Sequence, residues 1–513
     1  MTLRQETVDS LYCRLNDLKF LQVRGTPVSG KSTLASLLFY YIYNIEGESP
    51  YWISSWPDPH SPGTPPGSRK PRLSEDAEGW AWEDNSVVIF DEAQSTYWDT
   101  SLWDDVFKTL CSNPTTRRNR VIIFSSYGSP TGAMAGGTPW DVPSKNRVSF
   151  CEDRPPDGYK PVGLFFTKDE FQNYVLRRNM LQQHKFSNQL PERIFILTAG
   201  HVGAMEELFR ALTAQSCYRH LTRAQTYDIA DFESLDPKDL LRGLEEGSIF
   251  SRGLPKTGHL RVPETAQIFK HVLCEGGITA PTPTTPTRLP EGALGNCFQR
   301  GWLHAIPAED NQTSYVFATH LHKWFVQWKM FGEVPGAGLS YTDLLEFTFD
   351  AFSNFSPTLL SEERNIDLGI TQSTPEAQFQ SEFYRCSFQL SDGHVVTFPE
   401  FGTAKGRADF YIPSEEWGIE LLRDGQKLEE HVGRFSKTGK YGKTLRLSQH
   451  IILDCRFTMP RKTNSHLQNL YHVVFTLSTK PDLNPVWTIE ILDNNLNAVH
   501  GMKQVLTSSN DPF

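Results

Sequence analysis

Apolar positions in the first two hundred residues fall into short unbroken runs separated by stretches of helical spacing. Val87-Val-Ile-Phe90 and Val121-Ile-Ile-Phe124 are uninterrupted, the pattern of strands buried on both faces of a parallel sheet. Phe20–Arg24, Tyr51–Ser54 and Gly163–Phe166 also read as strands. Ser32–Tyr43, Ser101–Cys111 and Lys168–Gln183 lie between them and read as helices. This alternation over 1–215 predicts an α/β domain built on a parallel sheet, with a Pro/Gly/Ser-rich loop inserted at 57–74.

The pattern changes after 215. Gln267–Cys274, Glu291–Arg300 and His320–Phe331 read as helices around the strand candidates Gly301–Ile306 and Ser314–Phe317. Helices followed by a short hairpin predict a winged-helix-like module over 216–331. Gly332-Glu-Val-Pro-Gly-Ala-Gly338 reads as a hinge. Residues 339–513 read as helix, several strands, a helix and two late strands, Gln449–Cys455 and Tyr471–Ser478. At 513 residues the chain is too long for one core, and three domains, 1–215, 216–331 and 339–513, follow.

Composition narrows the setting. No apolar run approaches the ~18 residues of a membrane span, so no membrane partner is expected. The first residues lack the basic-then-apolar layout of a signal peptide. Eight scattered cysteines without a C-x-x-C pair favour reduced thiols in an intracellular compartment. A net charge of −10 argues against indiscriminate coating of nucleic acid, yet leaves room for a local basic groove.

Between the first strand and the first helix stands Gly25-Thr26-Pro27-Val28-Ser29-Gly30-Lys31-Ser32-Thr33. It completes G-x-x-x-x-G-K-[ST] in strand–loop–helix context, the phosphate cradle of ATP- or GTP-binding proteins. The glycines turn backbone N–H groups inward, Lys31 meets the β/γ-phosphates, and the Ser32 hydroxyl ligates Mg²⁺. Sixty residues on, Val87-Val-Ile-Phe90 delivers Asp91 and Glu92 at a strand's end. Asp91 suits the metal shell and Glu92 suits polarising a water. Ser125 ends the next strand, where a polar sensor would sit. Arg117 and Arg118 precede that strand, placed to offer an arginine finger to a neighbouring subunit, which would make the active form a homo-oligomer. Thr198-Ala-Gly-His201 opens a late helix and resembles the glycine–histidine sensor segment of signal-transducing (STAND-type) ATPases, with Val202 where those carry proline.

A second set of acids lies in the last third. Glu376 and Glu382 sit on a helix candidate, Asp409 ends Lys405-Gly-Arg-Ala-Asp409, and Glu420 lies in Trp417-Gly-Ile-Glu420-Leu-Leu422. Glu376 or Glu382 with Asp409 and Glu420 would make a hard-oxygen site for Mg²⁺ or Mn²⁺. The order is similar to the PD-(D/E)XK restriction-endonuclease superfamily, but Leu422 stands at the lysine position; Lys427 or Lys405 is the substitute. Arg434-Phe-Ser-Lys437-Thr-Gly-Lys440-Tyr-Gly-Lys443-Thr-Leu-Arg446 interleaves cations with aromatics and, with the middle domain, is the best DNA-backbone contact in the chain.

Together these features resemble the Crinkler proteins, in the NTPase–nuclease composite class of fungi and oomycetes. Arg24–Thr33, Ile89–Ala93, Gly406–Ile412, Gly418–Gly425, Leu428–His431 and Arg434-Phe435 carry the resemblance, which spans most of 15–480. It implies an intracellular effector or conflict protein, in the nucleus first and the cytoplasm second. The chain starts about twenty residues before its glycine loop, without the family's translocation header. Two functions stay open: an Mg²⁺-dependent NTPase coupled to a DNA-directed nuclease, or a nucleotide-switched signalling or assembly protein whose C-terminal fold binds DNA or protein without cutting.

Overall fold

The computed structural model describes residues 4–506 apart from 57–84, 100, 116–117, 127–141, 152–154, 157, 182–184, 188–189, 220, 222–224, 229–230, 233–234, 236, 248–251, 282–291, 309–311, 333–338, 358–359, 361–374, 392–397, 404–405, 413–414, 426, 437–438, 440, 442–446 and 479–485.

The long apolar runs become the centre of a parallel five-stranded sheet. Its strands are β1 (Phe20–Arg24), β2 (Tyr51–Ile53), β3 (Val87–Phe90), β4 (Arg120–Ser125) and β5 (Arg147–Val148), in the order β2-β3-β4-β1-β5. β3 and β4 are buried along their whole length, as unbroken apolar strands must be when helices cover both faces. Arg24 pairs with Ser125 and Phe90 with Ile123. Gly25, Asp91 and Ser125 therefore all lie at the carboxyl edge of one rigid sheet.

The fifth strand is not the expected one. Gly163–Phe166 forms no strand. The Arg4 guanidinium takes the carbonyls of Gly163 (2.8 Å), Leu164 (3.1 Å) and Phe165 (3.0 Å), so they are committed to a side chain rather than to a ladder. The short β5 occupies the edge instead. A helix at Gln5–Leu18, which the apolar pattern did not mark, covers one face with Val8, Leu11 and Leu15. The expected helix over Ser101–Cys111 begins as a π-helix, Leu102–Phe107, before continuing as Lys108–Ser112.

Helices Lys168–Leu181, Leu190–Thr198 and Val202–Ala214 share one apolar cluster with residues beyond 215, running from Phe166 to Phe331 and including Phe388. That core crosses the position where the sequence pattern puts a domain boundary. β6 (Lys185–Phe186) and β7 (Thr226–Tyr227) pair within it. Further on, helices Pro263–Glu275 and Gly292–Gln299 flank a three-stranded antiparallel sheet of β8 (Ile278–Pro281), β9 (His304–Pro307) and β10 (Gln312–Val316). Helix His320–Gln327 follows, with the Thr319 side chain accepting from His322 N as its N-cap.

The last third is a seven-stranded sheet in sequence order: β11 (Phe398–Thr403), β12 (Gly406–Ile412), β13 (Trp417–Arg423), β14 (Gln449–Arg456), β15 (Leu470–Ser478), β16 (Val486–Leu492) and β17 (Ala498–Val505). β13, β14 and β15 run parallel and the outer pairs antiparallel. Strand alternation sends Phe410, Ile419 and Leu421 toward helices Leu344–Ser353 and Pro375–Leu390. Leu422, Ile452 and Leu470 face the other way, under Phe435 and Tyr441.

Candidate functional site

The glycine loop joins β1 to helix Lys31–Asn44. Gly30 adopts φ 94° and Val28 φ 65°, left-handed conformations that turn the chain around a small concavity. Gly25 N donates to Ser125 O at 3.2 Å, fixing the loop's start to β4. Ser29, fully buried, closes a tight turn by donating to Thr26 O at 2.8 Å. Ser32 and Thr33 are exposed at the mouth, and Pro27 and Val28 are half-buried.

Lys31 is 5% exposed, and its ammonium donates to Gly25 O (2.9 Å) and Thr26 O (2.8 Å). Burial pushes its pKa down to about 8, with Glu92 and Asp91 pulling it back up. Ser32 Oγ donates to Asp91 Oδ1 at 3.1 Å. Burial raises the Asp91 carboxyl, against the lowering effect of the Ser32 hydrogen bond. Glu92 is exposed in a left-handed conformation (φ 53°), with its backbone N–H on Asp91 Oδ1. The loop lysine, the hydroxyl and both acids thus stand together as the motif spacing requires. They make up, at one edge of a parallel sheet, the glycine-loop constellation that the motif predicts.

Hydroxyl and carboxylate oxygens are the donors that Mg²⁺ takes from proteins, which usually supply only one or two. The Ser32–Asp91 contact already brings such a pair together, so the site fits the ion.

Gln94, His304 and His322, which carried no sequence signal, join the expected Ser125 and His201 around the site. Gln94 donates to Glu92 Oε2 and accepts from Ser126 N at 3.1 Å, tying Glu92 to the end of β4. Ser125 is fully buried and within 3.4 Å of Gln22 Nε2. His201 caps helix Val202–Ala214 by accepting from Ala204 N at its Nδ1. That bond leaves Nε2 to carry the proton of the neutral ring, 3.4 Å from Thr26 Oγ1. His201 therefore touches the loop's wall. Its ring is 4.9 Å from that of His322, while His304 stacks on Phe150 at 3.7 Å and meets Ser149 Oγ at 2.8 Å. Burial holds all three imidazoles neutral, His322 down to about 3, and Lys31 adds to the lowering of His201 and His304. His304 and His322, isolated and far apart in sequence, gave no pattern to find.

Arg118 does not join its own chain's site. It precedes β4, whose other end carries Ser125, and six strand residues span roughly 20 Å. The parallel register therefore puts Arg118 at the opposite edge of the sheet from the glycine loop. Arg117 lies outside the described residues.

In the C-terminal sheet the β12–β13 ladder ends at Phe410↔Ile419. Just beyond, Asp409 Oδ2 accepts from Leu421 N, and Oδ1 accepts from Gln380 Nε2 at 2.8 Å. One step along the register sets Asp409 opposite Glu420, so these two acids do come together. Glu420 is buried, and its Oε1 accepts from Arg434 Nη1 at 3.0 Å and contacts His431. Glu382 turns elsewhere: it pairs with Arg385 at 2.6 Å and accepts from Ser356 N at 2.6 Å. The side chain of Glu376, and Lys405, lie outside the described residues. Lys427 is exposed at the start of helix Leu428–Arg434 with φ 50°, and Arg434 is the cation that reaches Glu420. Leu422 is buried in the apolar cluster. Among the described residues no three His, Cys, Asp or Glu side chains could hold a metal ion. With Asp409 committed to N–H donors and Glu420 to the Arg434 guanidinium, this set does not fit a metal ion as it stands.

The basic stretch 434–446 also turns inward where it is described. Arg434 is paired with Glu420 and Glu430, Phe435 stacks on His450 at 4.7 Å, and Tyr441 is fully buried. These three are structural, which corrects their expected part in a DNA-backbone contact; Lys437, Lys440, Lys443 and Arg446 lie outside the described residues. No described helix is long and apolar enough to cross a membrane.

Comparison with known proteins returns distant likenesses. No family model matches the chain, and no curated protein matches it. Among solved structures it is similar to the Walker-type ATPase PABY2304 of Pyrococcus abyssi, at 15% identity and TM-score 0.32, over 64% of this chain and 96% of that one. It is also similar to the RuvB Holliday junction branch migration motor of Thermotoga maritima, at 15% identity and TM-score 0.28, over 59% and 90%.

Proposed function

We propose that this chain is an Mg²⁺-dependent nucleoside triphosphatase, using ATP or GTP, that acts on a C-terminal DNA-directed, nuclease-like domain in an intracellular protein of the Crinkler type. The convergence of Lys31, Ser32 and Asp91 at one sheet edge carries the reading. Loop N–H groups and the Lys31 ammonium would hold the β/γ-phosphates, and Gln94 would keep Glu92 aimed between Asp91 and Ser126. Glu92 would accept the proton as water attacks the γ-phosphorus and the bond to the β-phosphate oxygen breaks. Mg²⁺, when held by Ser32 and Asp91, supplies charge neutralisation on the phosphates. Lys31→Ala should abolish turnover, and Glu92→Gln should bind nucleotide while losing at least about a hundredfold in kcat. Full turnover in purified Lys31→Ala would refute the assignment.

A second reading keeps the nucleotide site as a switch and the C-terminal fold as a non-cutting DNA- or protein-binding module. The Arg434 guanidinium paired with Glu420 favours it. Plasmid nicking by wild type, Asp409→Ala and Glu420→Ala in Mg²⁺ and Mn²⁺ separates the two. Nicking lost in the variants supports the nuclease; nicking equal or absent in all three supports the switch.

A further inference from the structure

The nucleotide loop and the Asp409–Glu420 pair lie on different sheets, yet described contacts run from one to the other. Thr26 holds Lys31 through its carbonyl and faces His201 through its hydroxyl. His201 packs against His322, whose Nδ1 meets Thr319 Oγ1 at 2.7 Å at the start of helix His320–Gln327. At that helix's other end, Gln327 Oε1 accepts from Tyr384 Oη at 2.9 Å in a buried contact, and Lys323 Nζ, one turn earlier, sits 3.9 Å from the Tyr384 ring centroid. Tyr384 belongs to helix Pro375–Leu390, and Gln380, one turn before it, donates to Asp409. Side chains four apart share a helix face, so a shift at Tyr384 is delivered to Gln380.

We propose that Gln327, Tyr384 and Gln380 are positioning residues that tie the Asp409 carboxylate to the nucleotide loop, with helix His320–Gln327 as the moving part. This rests on the nucleotide-binding reading given above and holds whether or not the C-terminal domain cuts. The trigger is local. A triphosphate draws the Lys31 ammonium off the Thr26 carbonyl, and Thr26 is the residue against His201. The eight-residue helix spans about 12 Å, is met at its capped start by the His201 ring and at its end by the Tyr384 hydroxyl, and so moves as a unit rather than absorbing the displacement. At the far end Gln380 shares Asp409 with Leu421 N, so moving Gln380 alters the hydrogen bond that closes β13 beyond the end of its ladder. Coupling of this kind between binding sites amounts to about 5–150-fold.

Amide hydrogen exchange on the full chain, with and without Mg²⁺ and a non-hydrolysable ATP or GTP analogue, tests it. The expected result is protection of 25–33 together with at least about a fivefold change in exchange at 409–421. Tyr384→Phe keeps the ring and removes only the hydroxyl, while Gln380→Met cuts the far end. Both should retain protection of 25–33 and reduce the change at 409–421 to under about twofold. Absence of protection at 25–33 in wild type overturns the nucleotide-binding reading itself. Protection there without a change at 409–421 overturns the coupling alone, and a full change persisting in both variants overturns this route.

Discussion

Raising the pH from 7 to 9 should weaken nucleotide binding about tenfold through Lys31 alone. Burial holds this lysine down at about 8 in the free protein, with Glu92 and Asp91 opposing the shift. Against a triphosphate the ammonium stays charged across that range, so binding takes up a proton wherever the free lysine has lost one. The apparent Kd then grows as one plus the deprotonated-to-protonated ratio, roughly 1.1 at pH 7 and roughly 11 at pH 9, a loss of about 1.4 kcal/mol. Titration calorimetry in two buffers of different ionisation enthalpy reads the proton directly: about 0.1 taken up at pH 7, about 0.5 at pH 8 and about 0.9 at pH 9. Glu92→Gln removes a charge that supports the ammonium, so its midpoint should fall below the wild-type one. Stability of the free protein carries the matching sign. A lysine depressed from 10.5 to about 8 disfavours the folded state below pH 8, a term of roughly 3 kcal/mol that is relieved between pH 8 and 10.5 and partly offset by the bonds to Gly25 O and Thr26 O. A Kd constant within twofold from pH 7 to 9, with no proton uptake centred near 8, would show that the phosphates do not meet this lysine.

Substitutions at Gly203 and at the Glu382–Arg385 pair test the supports of the sites. A Cβ on Gly203 would stand 2.5 Å from Val28 O and 2.8 Å from Val28 Cβ, so Gly203→Ala should displace the loop and weaken nucleotide binding at least about tenfold, despite the ~1 kcal/mol that alanine adds to a helix. Gly258→Ala, where nothing lies within 4 Å, is the control and should leave the Kd unchanged. Arg385→Ala strands the buried Glu382 carboxylate and should destabilise helix Pro375–Leu390 by about 3–5 kcal/mol in hydrogen exchange. Removing both partners, as Glu382→Leu with Arg385→Met, should recover most of that loss, and an equal loss in both proteins would refute the ion-pair explanation.

The strands β1, β3 and β4 and the helix after Gly30 were legible because each is a local pattern: an unbroken apolar run, or a glycine pair at fixed spacing. The failure at Gly163–Phe166 has the opposite origin. That segment is apolar enough for a strand, but Arg4, some 160 residues away in sequence, captures its carbonyls. Glu382 reads as a metal ligand by its place on a helix before two strand acids, and an arginine one turn later claims it. Gln94, His304, His322 and Gln380 carried no periodicity or motif, and distant pairing alone reveals what they touch.

What the sequence by itself determined is the glycine loop with its acids, because spacing along one strand–loop–helix unit and one strand end is settled within a few residues. Tertiary structure decided which charges are free to do chemistry. Asp91 and Glu92 remain at an accessible sheet edge, whereas Glu382 and Glu420 are bound to Arg385 and Arg434 inside a folded layer. A buried carboxylate must be satisfied, and its partner is whichever cation or N–H donor the fold brings within about 3 Å.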